Sequence, residues 1–81
     1  MGNISPDTLK SMVSQAIADA EVYVHCYSGD DHFEMKVIAA SFAGKSRVNR
    51  HKMVYAALGE HMRAAIHALA LKTLTPEEAE T

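Results

Sequence analysis

The stretch Ser41–His67, S-F-A-G-K-S-R-V-N-R-H-K-M-V-Y-A-A-L-G-E-H-M-R-A-A-I-H, decides the fold. It holds a basic helix start, a long amphipathic helix and a strand headed by histidine in under half of the chain. Gly44 breaks the pattern at Phe42–Ser46, and a short helix or turn is expected around Ser46–Asn49, before a longer helix. Val54, Ala57, Leu58, Met62 and Ala65 carry the helical period onward. Gly59 lies inside this stretch, where it costs about 1 kcal/mol relative to Ala, and is expected to permit close packing against a sheet. Ile66–Thr75 follows as a strand that Pro76-Glu77-Glu78 ends, and the tail Ala79–Thr81 is expected to fray.

On the N-terminal side, Ser5-Pro6-Asp7 marks a helix start, with Ser as N-cap, Pro at the first helical position and Asp against the positive dipole end. Leu9, Met12, Val13, Ala16, Ile17 and Ala20 then recur at three and four, one apolar helix face. From Glu21 the period becomes two, with Val22, Val24 and Cys26 on one side and Tyr23, His25 and Tyr27 on the other. Ser28-Gly29-Asp30-Asp31 reads as a turn. A second alternating run over Phe33–Ala40 sets Phe33, Met35, Val37 and Ala39 on one face and completes a hairpin. The order is α-β-β-α-α-β. A crossover through helices favours parallel pairing of the last two strands. Helices on one face of a three-stranded mixed sheet give an α+β two-layer sandwich.

Eighty-one residues make a single domain, residues 1–81, with its folded core at about residues 4–78. Composition is ordinary for a globular chain, 48% hydrophobic and 22% charged. With no Trp, the core falls to Leu, Val, Ile, Met and Ala. A net charge of −2 argues against a protein built mainly to coat nucleic acid. One cysteine excludes an internal disulfide and fits a reducing compartment. No apolar run approaches the roughly 20 residues that span a bilayer, and no signal pattern opens the chain. A soluble cytoplasmic protein without membrane association is the expectation.

Five histidines are many for 81 residues, and they are not equivalent. His67 opens the last strand and His32 opens the second. If those strands pair in parallel, both imidazoles sit at the same end of the sheet. Structural zinc sites need four protein ligands and catalytic ones usually three, so a self-contained metal site is not expected. A shared site needs fewer: imidazole replaces thiolate on one iron of some [2Fe–2S] clusters, and a partner would bring the remaining thiolates. Cys26 alternates with Val22 and Val24, which makes it first a small core residue and otherwise a fallback ligand. His25 and His61 look like surface positions.

The second candidate is basic. Lys45, Arg47, Arg50, His51 and Lys52 fall within eight residues at a helix start, where N–H groups and cations favour phosphates. A helix-turn-helix reading would let Asn49 and Arg50 address base edges. The alternatives are a solvated helix face or an electrostatic docking surface for an acidic or glutathione-bearing partner. A G-x-x-G phosphate loop is missing, since Gly44-Lys45-Ser46-Arg47 keeps only its first glycine. No nucleophile, base and orienting group show recognisable spacing, so no catalytic residue is assigned and the chain is expected not to be an enzyme.

The words F-x-G-K-S-x-V-x-R-H-x-x-V-Y-x-x-L and I-H-A-L-x-L-K-T-x-T-P-E-E closely resemble the BolA family, from about Ile4 to Glu78 without gaps. The resemblance implies a class II KH-like fold. It also implies pairing with a monothiol glutaredoxin and a [2Fe–2S] cluster held between the two proteins, serving iron–sulfur assembly, trafficking or iron and redox sensing. The glutaredoxin cysteine and glutathione would ligate one side of that cluster, and no cofactor is expected when the chain is alone. Carried onto this sequence, the strand ligand is His67, and the loop ligand is His32 by its D-H-F spelling. The second implied role is DNA-binding transcriptional regulation of stress response and morphology, using Lys45, Arg47, Asn49, Arg50, His51 and Lys52. Members often continue after T-P-E-E with an aromatic residue and a basic tail. Here Ala79-Glu80-Thr81 follows instead, which weakens the DNA reading. Alone, the chain is expected to be a monomer or weak homodimer.

Overall fold

The computed structural model describes residues 5–28, 32–59 and 68–80. Helix α1 (Pro6–Ala16) starts as its sequence predicts, with the Ser5 side chain accepting the backbone N–H of Thr8. Its Leu9 and Val13, with Ile17 just beyond, are buried, whereas Ala16, expected on the same face, is exposed. Strands β1 (Glu21–Ser28) and β2 (His32–Ile38) form an antiparallel pair with an irregularity between Cys26 and Ser28. Phe33, Met35, Val37 and Ala39 are all buried, the alternation that period two requires.

A single 3-10 turn, Ala40–Phe42, leads into Gly44, whose φ of 78° falls in the left-handed region that glycine tolerates. The Asp19 carboxylate fastens this turn from across the fold by accepting the backbone N–H and the hydroxyl of Ser41. Helix α2 (Arg47–Leu58) then runs unbroken, so the short separate helix expected around Ser46–Asn49 is instead its first turn, capped by the Ser46 hydroxyl. Gly59 is not inside the helix. It ends it at φ 57°, and among the described residues a Cβ placed there would meet nothing within 4 Å, so the glycine answers the backbone conformation and not a close approach of those residues. The expected continuation through Met62 and Ala65 lies outside the described residues.

Strand β3 (Ala68–Leu74) pairs with β2 in parallel, giving a mixed sheet of order β1-β2-β3. Pro76-Glu77-Glu78 ends the strand as expected, but by opening a further helix, α3 (Pro76–Glu80), so Ala79 and Glu80 are helical and not frayed. Helices α1 and α2 cover one face of the sheet. Leu9, Val13, Ile17, Val54 and Leu58 meet Val22, Phe33, Met35, Val37 and Phe42 in one core cluster. The result is the α+β two-layer arrangement that the hydrophobic periods imply.

Thr73, 8% exposed, breaks the apolar rule, because its hydroxyl has no hydrogen-bond partner among the described residues. A buried hydroxyl without a partner loses its hydration without compensation. Thr73→Val, nearly isosteric, is therefore expected to leave stability unchanged or raise it by up to about 1 kcal/mol, read as a higher urea midpoint. A drop of that size would show that the hydroxyl does have a partner.

Candidate functional site

His32 opens β2 half-buried, its ring edge-on to Tyr27 with centroids 6.0 Å apart. The parallel register pairs His32 with Ala68, and His67 is the residue covalently bonded before Ala68. His67 itself lies outside the described residues, as does His61. The expectation that the second and third strands begin at one end of the sheet holds, since His32 and Ala68 are register partners. Cys26 is the register partner of buried Phe33 and packs against the core cluster, half-buried on the helix side of the sheet. His32 shares the alternation of exposed Glu34 and Lys36, on the opposite side. Strand alternation therefore puts the two donors on different faces. Among the described residues, no three His, Cys, Asp or Glu side chains come close enough to hold a metal ion.

The basic segment divides in two. Lys45, Arg47, Asn49 and Lys52 are exposed around the start of α2. Arg50 turns inward, its side chain only 13% exposed. Its Nε donates to the carbonyls of Phe42 at 3.1 Å and Lys45 at 3.0 Å. One terminal nitrogen donates to the Thr73 carbonyl at 3.3 Å and to Glu78 at 2.8 Å, and the other reaches the second Glu78 oxygen at 3.3 Å. The guanidinium carbon also lies 5.8 Å from the Phe42 ring centroid. One planar fork thus joins the 3-10 turn, the start of α2, β3 and α3, a task suited to five rigid donors.

Glu78 completes the arrangement. Its carboxylate accepts the Thr75 backbone N–H at 2.9 Å while its own N–H donates to the Thr75 hydroxyl at 3.2 Å, a capping box that starts α3. The hydrogen bonds from Arg50, and after them the Thr75 N–H, hold the Glu78 carboxyl below its ordinary range. His51 is half-buried, edge-on to Tyr55 at 6.1 Å. Burial first, and the nearby Arg47 charge second, depress its pKa, so it stays neutral at pH 7. The exposed cations left at this helix start are Lys45, Arg47 and Lys52.

Two features escaped the sequence reading. The T-x-x-E spelling of a capping box at Thr75–Glu78 was available and passes for a simple strand end. The pairing of Lys36 with Lys72 across β2 and β3 has no local signal, because it arises only from register.

The comparisons with known proteins agree with this geometry. The family model described as BolA-like protein matches residues 8–78. The DNA-binding transcriptional regulator BolA of Escherichia coli is 39% identical over 49 residues, 60% of this chain and 47% of that protein. The chain spans less than half the length of the curated relatives that match it at 36% to 41% identity. Among solved structures, a bolA protein homologue from Coxiella burnetii superposes with a TM-score of 0.82 at 35% identity, covering 96% of this chain and 99% of the other. Yeast Fra2 superposes at 0.76 with 26% identity, covering 100% and 88%. With sequence words, strand order and near-complete superposition in agreement, the chain belongs to the BolA-like family.

Proposed function

We propose that this chain is a non-catalytic partner of a monothiol glutaredoxin and shares a [2Fe–2S] cluster with it. The observation that carries the reading is the register pairing of His32 with Ala68, one peptide bond from His67. Two imidazoles from neighbouring strand starts suit half of a shared cluster, with the partner's cysteine and glutathione completing it. The donor set fits that group. His32 is half-buried at a strand start, where its backbone is fixed by pairing on both sides, to Ser28 and to Ala68. When bound, the cluster supplies a redox-active iron pair ligated in part by neutral imidazole. Among the described residues, strand pairing fixes the backbone from which the His32 imidazole would reach it. Cys26, on the helix side of the sheet, is the weaker second ligand. The exposed start of α2, with Lys45, Arg47 and Lys52, serves as the docking surface for the acidic or glutathione-bearing partner.

Titration of this protein into a [2Fe–2S]-loaded monothiol glutaredoxin with glutathione, followed by visible circular dichroism, tests the reading. A spectral change saturating near one-to-one is expected, lost in His67→Ala and weakened or altered in His32→Ala. An unchanged spectrum, or one indifferent to His67→Ala, overturns it.

A second reading, DNA-binding regulation, is favoured by the name of the Escherichia coli relative and by the same three exposed cations. About three phosphate contacts would make affinity fall with salt at a logarithmic slope near −3. Arg50 and neutral His51 are poorly placed to add to that slope, the first because its donors are engaged and the second because it carries no charge.

A further inference from the structure

The sheet face turned away from the helices carries exposed Tyr23 and His25 on β1, Glu34 and Lys36 on β2, and Ala70 and Lys72 on β3. These side chains line a groove of about 520 Å³, a volume in the range of small-molecule sites. At its centre the parallel register sets Lys36 directly beside Lys72, on strands that run about 4.8 Å apart. Like charges on adjacent strand positions oppose folding. Among the described residues, neither ammonium has a carboxylate within ion-pair distance. Lys36 is held in place from the other side, its ammonium 5.0 Å from the centroid of the Tyr23 ring.

We propose that this open face binds a small phosphate monoester, with the phosphate between Lys36 and Lys72 and the body of the ligand along Tyr23 and His25. This goes beyond the glutaredoxin reading and does not depend on it. The choice of ligand follows from charge. A phosphate monoester carries about −1.5 to −2 at neutral pH, which matches two ammonium groups, whereas a monocarboxylate leaves one unneutralised. Its three terminal oxygens can serve two point donors at once. Long polyanions fit poorly, because Glu34 borders the lysine row on β2 and Glu21 borders it on β1. Glu34, register partner of His25, is also placed to accept a hydroxyl of the ligand body. The lysine row lies four residues along β2 from His32, about 13 Å at strand rise, so the two sites can be tested separately.

The test is an amide proton–nitrogen NMR titration of the whole chain with inorganic phosphate, ribose 5-phosphate and adenosine 5′-monophosphate at fixed ionic strength. Saturable shifts at Tyr23, His25, Lys36 and Lys72 are expected, with the organic phosphates binding more tightly than inorganic phosphate. Lys36→Ala and Lys72→Ala, both at exposed positions, should each weaken binding about tenfold while leaving the remaining spectrum folded. No saturable shift from any probe up to about 10 mM, where a millimolar site would be nearly filled, overturns the proposal. So do shifts that survive both substitutions, and so do shifts at these amides that track protein concentration without ligand, which would assign the face to a second copy of the chain.

Discussion

Arg50→Ala is expected to lower stability by about 2–3 kcal/mol, because the carbonyls of Lys45 and Thr73 lose the guanidinium at once and that of Phe42 keeps only the Lys45 N–H. The Glu78 pair itself adds little to that figure, since its carboxylate side is 46% exposed and water screens it. For a domain of 81 residues the loss corresponds to a melting temperature about 10–20 °C lower. Arg50→Lys separates charge from shape. A lysine ammonium is a point donor on a flexible stem with three N–H groups and cannot serve the five acceptor atoms that the guanidinium reaches, so it should restore less than half of the loss. Equal stability of the lysine variant and the parent would mean that the fork geometry is irrelevant. A loss below about 0.5 kcal/mol in Arg50→Ala would mean that water replaces the guanidinium without penalty.

The same network sets a pH signature. The folded-state pKa of Glu78 is lowered from its ordinary 4.5. The stability it contributes is therefore complete above that ordinary value and is lost as pH falls through the lower folded value. Asp19, lowered by the Ser41 backbone N–H, acts in the same direction. Acid unfolding of the parent contains both contributions, and Arg50→Ala should lack most of the Glu78 part. Weakened DNA binding in Arg50→Ala would report a displaced helix start and not a lost phosphate contact, so Lys45, Arg47 and Lys52 are the positions that test it.

What the residues alone disclosed depended on how local the signal was. Ser5-Pro6-Asp7, the two alternating strands and the buried run Phe33, Met35, Val37, Ala39 are each encoded within a few neighbours, and the structure follows them closely. Parallel pairing of β2 with β3 was legible because a helical crossover leaves little else. Gly59 was misplaced because the helical period ran past it, and only the backbone φ shows that the chain turns there. Arg50 was unreadable for the opposite reason. Its five partner atoms lie up to 28 residues away, so beside Lys45 and Arg47 it looked like one more exposed cation. Of the candidate cluster ligands, the juxtaposition of strand starts was legible, while the separation of His32 and Cys26 onto opposite faces needed the register.

Phe33→Ala should be the most damaging single truncation near that site, at about 3–5 kcal/mol. Phe33 is fully buried, pairs with Cys26 on β1 and Leu69 on β3, and follows His32 directly. Total stability for a chain of this length is about 4–12 kcal/mol, so the substitution is expected to leave the protein partly unfolded at 37 °C. Phe33→Leu keeps most of the apolar volume and should cost less than about 1.5 kcal/mol. The pair of variants separates packing from ligation. Phe33 holds the first residues of β2 down onto the core, and the backbone of His32 is held with it. Phe33→Leu should therefore retain the circular-dichroism response to loaded glutaredoxin at a nearly native urea midpoint, whereas His32→Ala should keep the midpoint and weaken the response. If Phe33→Leu abolished the response while remaining as stable as predicted, the placement of His32 would depend on finer packing than strand pairing supplies. If Phe33→Ala proved as stable as the parent, the core would extend well beyond the cluster around Leu9, Phe42, Val54 and Leu58.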